Sequence, residues 1–443
     1  MLRSAFVAGA LCGCLAVAGR PEPRPISDAP VRDTGQPSTC PRWAQPEPML
    51  TSDGRPVYVE SPSAVRLTSG VALFGYPTFV WATPEAPWHT DSARQTPVAI
   101  EALFAGEQRV TPIPPPQLLQ TNRPSDVIAT TDGRGGAYAF WTNVPNNTAT
   151  PAPTATSVHG ARFGSDGWST PEVVLKSDII RWNRVSAAAV SYRGTIHVVV
   201  SGSRAGGDGT GGGIAHVRRE SGQWVTSWIN TGSLPPAYVA VLAEEGQPWV
   251  VAFIGAVATK SLTVNNGGYV VVSHDHGRTW SDVVLVRDFG ADIGQRVQLL
   301  STPDRSIHMF WGVRGAGATG TTRVEHIASR DGVAWHRAPD FEASARAGFQ
   351  SGVTARGTLF LVYRQPDSLQ VRASEWDGKA WRTPYALGEG GAATEPRPIE
   401  LGPDSLYLIW ARARPSAQTS NEPSGRAPMS WWAHHVSECG PGK

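Results

Sequence analysis

The chain has 443 residues, of which 47 are glycine, 37 proline and 17 tryptophan; hydrophobic residues make up 40%, charged residues only 17%, and the formal net charge is +2. So much apolar surface excludes a disordered chain, and near-neutrality without Lys/Arg runs excludes a nucleic-acid-binding footprint. Gly supplies positive φ, and Pro fixes φ while removing a donor, so this density of both calls for short strands and tight turns. In chain order, residues 1–18 read as an export signal: Arg3 is the charged start, Ser4 to Val17 the short apolar stretch, and Ala16-Val17-Ala18 a small-x-small cleavage site. Leu11-Cys12-Gly13-Cys14 resembles a lipobox with Cys14 as the lipidated residue, and the two processing routes stay open. The apolar run is too short for a membrane span, which needs about 20 residues. Residues 19–49 are Pro-rich and polar, as a flexible spacer would be. Cys40 and Cys439 are the only cysteines outside the signal region. In an oxidising compartment such a pair is expected to be bridged, clasping the two ends of the folded part at 50–443.

A repeat dominates the rest. Trp168, Trp224, Trp280, Trp335 and Trp381 recur about every 46 to 56 residues, each after an Asp/Gly or Ser/Gly turn. Alternating runs such as Gly268-Tyr269-Val270-Val271-Val272 precede these turns, and short runs such as Glu172-Val173-Val174-Leu175 follow them, which makes hairpins. Seven near-continuous apolar runs lie upstream: Val71 to Trp81, Gly136 to Trp141, Gly194 to Val199, Pro248 to Phe253, Ser306 to Trp311, Gly357 to Tyr363, and Ser405 to Trp410. Such runs suit strands buried on both faces, here expected at the inner position. About four strands per unit, with no long amphipathic helix, predict an all-β chain: a β-propeller of four-stranded antiparallel blades, seven in number, with six still open. The last unit lacks a strand, which Val57-Tyr58-Val59-Glu60 is expected to supply.

One turn carries a family resemblance. Ser273-His274-Asp275-His276-Gly277-Arg278-Thr279-Trp280 resembles the Asp-box, Ser-x-Asp-x-Gly-x-Thr-Trp, of sialidases and other propeller proteins, and fits it at every fixed position. The resemblance implies a structural hairpin turn on the blade periphery for Ser273, Asp275, Gly277, Thr279 and Trp280, with the Asp capping turn amides. It also implies a chemistry: three Arg gripping a substrate carboxylate, a Tyr nucleophile backed by Glu, and an Asp acid/base. The Arg-Ile-Pro motif that carries the first such Arg is absent, since Arg24-Pro25-Ile26 and Arg397-Pro398-Ile399 have another order.

Arg204, Arg314, Arg364 and Arg412 follow the apolar runs, with Arg414 nearby, and equivalent positions in successive blades would ring one mouth of a channel. Guanidinium forks grip carboxylates, so the ligand implied is anionic; solvated loop charge is the competing reading. Tyr363 beside Arg364 is the nearest approach to a catalytic pair, although neighbours in a strand point to opposite faces. Trp81, Trp141, Trp311, Tyr363 and Trp410 read as packing between blades before sugar platforms. Gly315 to Gly320 matches Gly-x-Gly-x-x-Gly but precedes a strand, which leaves no helix N-terminus for a phosphate. Adjacent His434 and His435 cannot share a metal. No cofactor or metal is expected. The chain thus reads as an exported monomer, periplasmic, secreted or on the cell surface, touching membrane only through a lipid anchor. It is expected to bind a glycan or protein without cleaving it. The alternative is an exo-sialidase or related glycoside hydrolase acting on acidic sugars.

Overall fold

A computed structural model of the chain describes residues between Pro41 and Ser437; residues 1–40 and 438–443 lie outside it, as do 52–59, 77–97, 104–108, 114–122, 145–155, 182–187, 205–211, 259–262, 316–321, 340–348, 354–357, 365–369, 392–395, 413–428 and a few shorter stretches. The export signal with Cys14, and both Cys40 and Cys439, therefore fall outside the described residues.

The described elements are all strands. They open with β1 (Pro41–Trp43), β2 (Glu47–Pro48) and β3 (Leu50–Thr51). A first sheet is built from β4 (Glu60–Leu67), β5 (Gly70–Tyr76), β6 (Val98–Leu103) and β7 (Arg109–Ile113), with β3 parallel to β7. The second holds β8 (Arg123–Thr131), β9 (Ala137–Val144) and β10 (Thr156–Gly164), and both β11 (Gly167–Trp168) and β12 (Glu172–Ser177) pair with β10. In the third, β13 (Ile180–Arg181) and β14 (Ala188–Tyr192) share one side of β15 (Thr195–Arg204), followed by β16 (Gly212–Glu220) and β17 (Gln223–Ile229). The fourth runs β18 (Pro236–Leu242), β19 (Trp249–Ala258), β20 (Thr263–Ser273) and β21 (Val284–Asp288). The fifth runs β22 (Ile293–Ser301), β23 (Ile307–Arg314), β24 (Thr322–Ser329) and β25 (His336–Arg337). The sixth runs β26 (Phe349–Val353), β27 (Leu359–Arg364), β28 (Gln370–Glu375) and β29 (Tyr385–Gly391). The seventh joins β30 (Arg397–Gly402), β31 (Ser405–Arg412) and β32 (Met429–Ser437). Among the described residues the strands thus make seven sheets, three of four strands and four of five, antiparallel throughout except where β3 joins β7.

The apolar runs are the second strands β5, β9, β15, β19, β23, β27 and β31, one place removed from the inner position expected. They are apolar because each has a strand on both sides and a sheet above and below; in β23 every residue but Arg314 is buried. The first strands are the ones that meet: β4, β8, β14, β18, β22, β26 and β30 touch in succession, and β30 touches β4. The core lies between sheets, as where Val250, Val270 and Val272 of the fourth pack on Met309, Trp311 and Trp335 of the fifth. Turn tryptophans serve these seams: Trp224 packs on Phe140 of the second sheet, Trp280 on His216 of the third, and Trp381 on Phe310 of the fifth. Each grips the preceding sheet and does not simply fill its own.

The turns between first and second strands form a chain of contacts. Thr68 donates its amide to Gly135 O at 3.0 Å, the methyl an alanine would carry at position 133 would lie 2.9 Å from Gly194 Cα, Arg193 bonds Glu245 at 2.5 Å, and Arg305 reaches Gly246 O. These turns of five successive sheets share one side of the molecule.

Two expectations are corrected at the N-terminus. The missing strand of the last sheet is supplied by β1 and β2, with Pro41 opposite Ser437 and Glu47 opposite Trp432, whereas Glu60 opens β4 of the first sheet. Residues 57–59 lie outside the described residues. The described strands also reach into the expected spacer 19–49, with β1 at Pro41–Trp43, and Met49 is fully buried. The edge of β32 offers unpaired backbone groups, and pairing satisfies them.

Candidate functional site

Second strands run away from the clustered turns, so their far ends lie on the opposite side. The connections there are the longest in the chain, including 77–97, 145–155 and 413–428. Long connections held by a rigid scaffold are where binding residues concentrate. Arg204, Arg314, Arg364 and Arg412 are each the last residue of a second strand and so stand at this end of four sheets. Arg314 is exposed; the side chains of the other three, and all of Arg414, are outside the described residues. Trp141, Trp311, Tyr363 and Trp410 are buried, which makes them packing groups, and Trp81 is outside the described residues. Burial raises the Tyr363 phenol, against the pull of Arg372 across the ladder, which is the wrong direction for a nucleophile.

At the same end, the seam of the fourth and fifth sheets carries a charged cluster that spacing did not single out. Glu325, in β24 opposite Trp311, is almost wholly buried. Arg287, at the end of β21, forks onto it: Nε and Nη2 donate to Oε2 and Oε1 at 2.7 and 2.9 Å. Arg323 donates to Oε1 from Nε and Nη2 at 3.0 and 2.8 Å, and also meets Asp292 at 3.2 Å. Burial opposes charge on Glu325, but the two guanidiniums outweigh it and hold the carboxyl below the usual range. An ionised carboxylate clamped in this way is no proton donor; it holds two arginines in place, and Arg287 Nη1 also donates to the carbonyl of Asp288 at 2.7 Å.

Arg296 joins this end of the fifth sheet. It is the extra residue of a β-bulge between Gln295 and Val297, opposite Gly312 and Trp311, and has φ of 54°. A non-glycine residue in the left-handed region costs about 1–2 kcal/mol, and bulges of this kind re-aim side chains beside functional sites. Exposed Arg314 ends the neighbouring strand β23 at this same end of the sheet. The signal for Arg296 was open in principle, since it interrupts the strand Ile293–Ser301. Nothing local in the sequence pairs Arg287 with Glu325.

Two Tyr–Glu contacts exist among the described residues. Tyr138 hydrogen-bonds Glu172 and Arg219, with Arg219 3.0 Å from Glu172. Tyr385 donates to Glu375 at 2.9 Å, near Arg382. Burial, with Glu172 beside it, pushes the Tyr138 phenol up to about 12. Glu172 and Tyr385 lie on the outer strands β12 and β29, far from the meeting first strands. Both contacts staple outer strands, and neither makes an activated nucleophile.

The Asp-box residues form a bonded turn after β20. Ser273 Oγ donates to Asp275 Oδ1 at 2.8 Å and accepts from the Gly277 amide at 2.8 Å; Thr279 gives Asp275 its amide at 2.8 Å and its hydroxyl at 2.6 Å. These bonds outweigh partial burial and bring Asp275 down to about 2. Ser329 and Asp331 repeat the pattern in the fifth sheet. The turn sits at the side opposite the arginines.

No family model matches the sequence, and no curated protein matches it. Among solved structures, a Dyadobacter fermentans protein of unknown function is 13% identical with a TM-score of 0.46, the match covering 89% of this chain and 98% of that one. An α-L-arabinanase of Penicillium chrysogenum complexed with arabinobiose is 14% identical with a TM-score of 0.42, over 68% and 89% of the two chains. The Trypanosoma rangeli sialidase in complex with sialic acid is 10% identical with a TM-score of 0.45, over 91% of this chain and 58% of its own.

Proposed function

We propose that this chain is an exported, monomeric seven-bladed β-propeller of the sialidase-like kind that binds an acidic glycan on the face of its long connections and does not cleave it. Support for seven blades comes from seven sheets whose first strands touch in a cycle, and support for closure from β1 and β2 on β32. Cys40 and Cys439 flank the Pro41–Ser437 pairing, where a disulfide would lock that seam. The observation that carries the binding reading is the arginine cluster: Arg287 and Arg323 fixed by Glu325, a strained Arg296 in a bulge, and exposed Arg314. Guanidiniums held in place by a buried carboxylate are preorganised, so less freedom is lost when a ligand carboxylate docks. The reading against catalysis rests on the two Tyr–Glu contacts each tying to an outer strand, through Glu172 of β12 and Tyr385 of β29, with the Tyr138 phenol raised to about 12.

The test is calorimetric titration of the purified chain with carboxylated and neutral oligosaccharides, beside an assay for released sialic acid. Binding confined to the carboxylated set, weakened about tenfold or more by Arg314→Ala and by added salt, is the expected result. Equal affinity for neutral sugars, or binding to an acidic protein alone, would overturn the glycan assignment. Turnover of a sialoside would replace binding with hydrolysis.

A further inference from the structure

The third and fifth sheets each hold a pair of buried histidines that the binding face does not use. His197 in β15 and His216 in β16 lie on a diagonal, with Nδ1 and Nε2 3.0 Å apart. His308 in β23 and His326 in β24 repeat this, again Nδ1 to Nε2 at 3.0 Å. All four rings are buried. Both pairs face the next sheet. His197 meets Trp249, and His216 meets Trp280 and the carbonyl of Gly277, all of the fourth sheet. His326 meets Trp376 and Trp381 of the sixth.

The partners fix the protons. Gly277 O only accepts, so His216 Nδ1, 3.0 Å away, carries hydrogen and its Nε2 accepts from His197 Nδ1. This leaves His197 Nε2 bare, buried and without a hydrogen-bond partner. In the other pair, the Thr302 hydroxyl gives its hydrogen to Asp304 at 2.5 Å and accepts from His308 Nε2 at 3.4 Å. His308 Nδ1 then accepts from His326 Nε2, and His326 Nδ1 is left bare, buried and without a partner. Each pair is satisfied along its chain only while both rings are neutral, and each ends on an unbonded nitrogen at a seam between sheets. A proton taken up at that nitrogen places a charge between apolar rings with no counter-ion beside it.

We propose that the two histidine pairs are acid-released latches, which hold the third sheet to the fourth and the fifth to the sixth at neutral pH and let these two seams part on acidification. The groups acting on the first pair are Arg218 and Glu220 of the same sheet and His276 of the fourth. Arg218 disfavours protonation and Glu220 favours it. On the second pair the acting group is Asp304, in the turn before β23, while the sixth sheet presents indoles to His326. Burial holds His197 down at about 3, His216 and His308 at about 4, and His326 well below the ordinary imidazole range. Unfolded imidazoles take up protons near 6.5. The latches therefore give their full stability above pH 6.5 and lose it as pH falls from 6.5 towards 4, the unfolded or opened state binding the extra protons.

Each linked proton makes the unfolding constant rise about tenfold per pH unit at the full slope. Urea unfolding of the whole chain between pH 8 and pH 5 reads that slope. About four or more linked protons are expected near pH 5, falling by about two in His197→Gln/His216→Gln and by about two in His308→Phe/His326→Phe. Slopes equal to wild type in both double variants would overturn the proposal. Where a variant fails to fold, amide exchange of the wild-type chain at pH 7 and pH 5, corrected for intrinsic rates, decides the matter. Protection lost first at 273–281 and 374–382 supports the latches, and uniform loss across all sheets overturns them.

Discussion

Gly277→Ala puts a methyl group where the space is already occupied. The new Cβ would lie 2.5 Å from His216 Cε1, 3.1 Å from His216 Nδ1 and 3.1 Å from Trp249 Cζ3, at a backbone φ of 79°. The left-handed conformation costs an alanine about 1–2 kcal/mol. Overpacking a seam adds about 1–3 kcal/mol. Displacing His216 from the Gly277 carbonyl adds about 1 kcal/mol. The whole loss is expected at about 3–6 kcal/mol. Gly222→Ala is the matched control, because Gly222 has φ of 85° in the corresponding turn of the third sheet and nothing within 4 Å of a built Cβ. That variant should lose the backbone cost alone, about 1–2 kcal/mol. Urea midpoints at pH 7.5, compared at unchanged slope, give both numbers. Equal destabilisation of the two variants would show that the approach of the Asp-box to His216 contributes nothing to the seam.

Glu325→Gln should cost about 3 kcal/mol by chemical denaturation, at the low end for a broken buried pair because Arg287 and Arg323 remain partly hydrated; a loss under about 0.5 kcal/mol would refute the clamp. Trp311→Ala, at a fully buried indole, should cost about 3–5 kcal/mol, whereas Trp228→Ala, at a half-exposed one, should stay near 0.5 kcal/mol or below in calorimetric unfolding. Arg296→Gly relieves a left-handed arginine and should gain about 1 kcal/mol while weakening ligand binding; a variant that loses stability and keeps affinity would mean the bulge serves the fold alone.

The sheets were readable because their signals are local. A strand covered on both sides must be apolar throughout, which marked Gly194 to Val199 and Ser306 to Trp311, and a tight turn needs Gly, Asp or Ser, which marked Asp275 and Asp331. The place of those apolar runs within each sheet was not readable, since hydrophobicity reports burial and not distance from an axis. The closing strand was misplaced for a related reason: Val57 to Glu60 has strand composition, while Pro41–Trp43 has little of it and pairs because β32 offers an edge. The four arginines at strand ends were visible as a recurrence. The Arg287–Glu325 fork was not, because 38 residues separate its members and only the seam of two sheets joins them. The histidine pairs left a faint trace, the shared Ile-His step at Ile196-His197 and Ile307-His308, but their partners are 19 and 18 residues further on, with spacing set by the intervening connections.

The pairing of β1 with β32 sets an order of events. The first of the described strands has its partner in the last, so it must wait through the folding of every sheet between. Each of those sheets can form from neighbouring sequence and dock on the one before, but the last is left with an open edge until the N-terminal segment returns. A contact of such long sequence separation forms late and slowly, and an open edge in the meantime is a site for wrong pairing with a second chain. The step that completes the fold is therefore also the one most exposed to aggregation, and its rate depends on how quickly a few residues around Pro41 find Ser437.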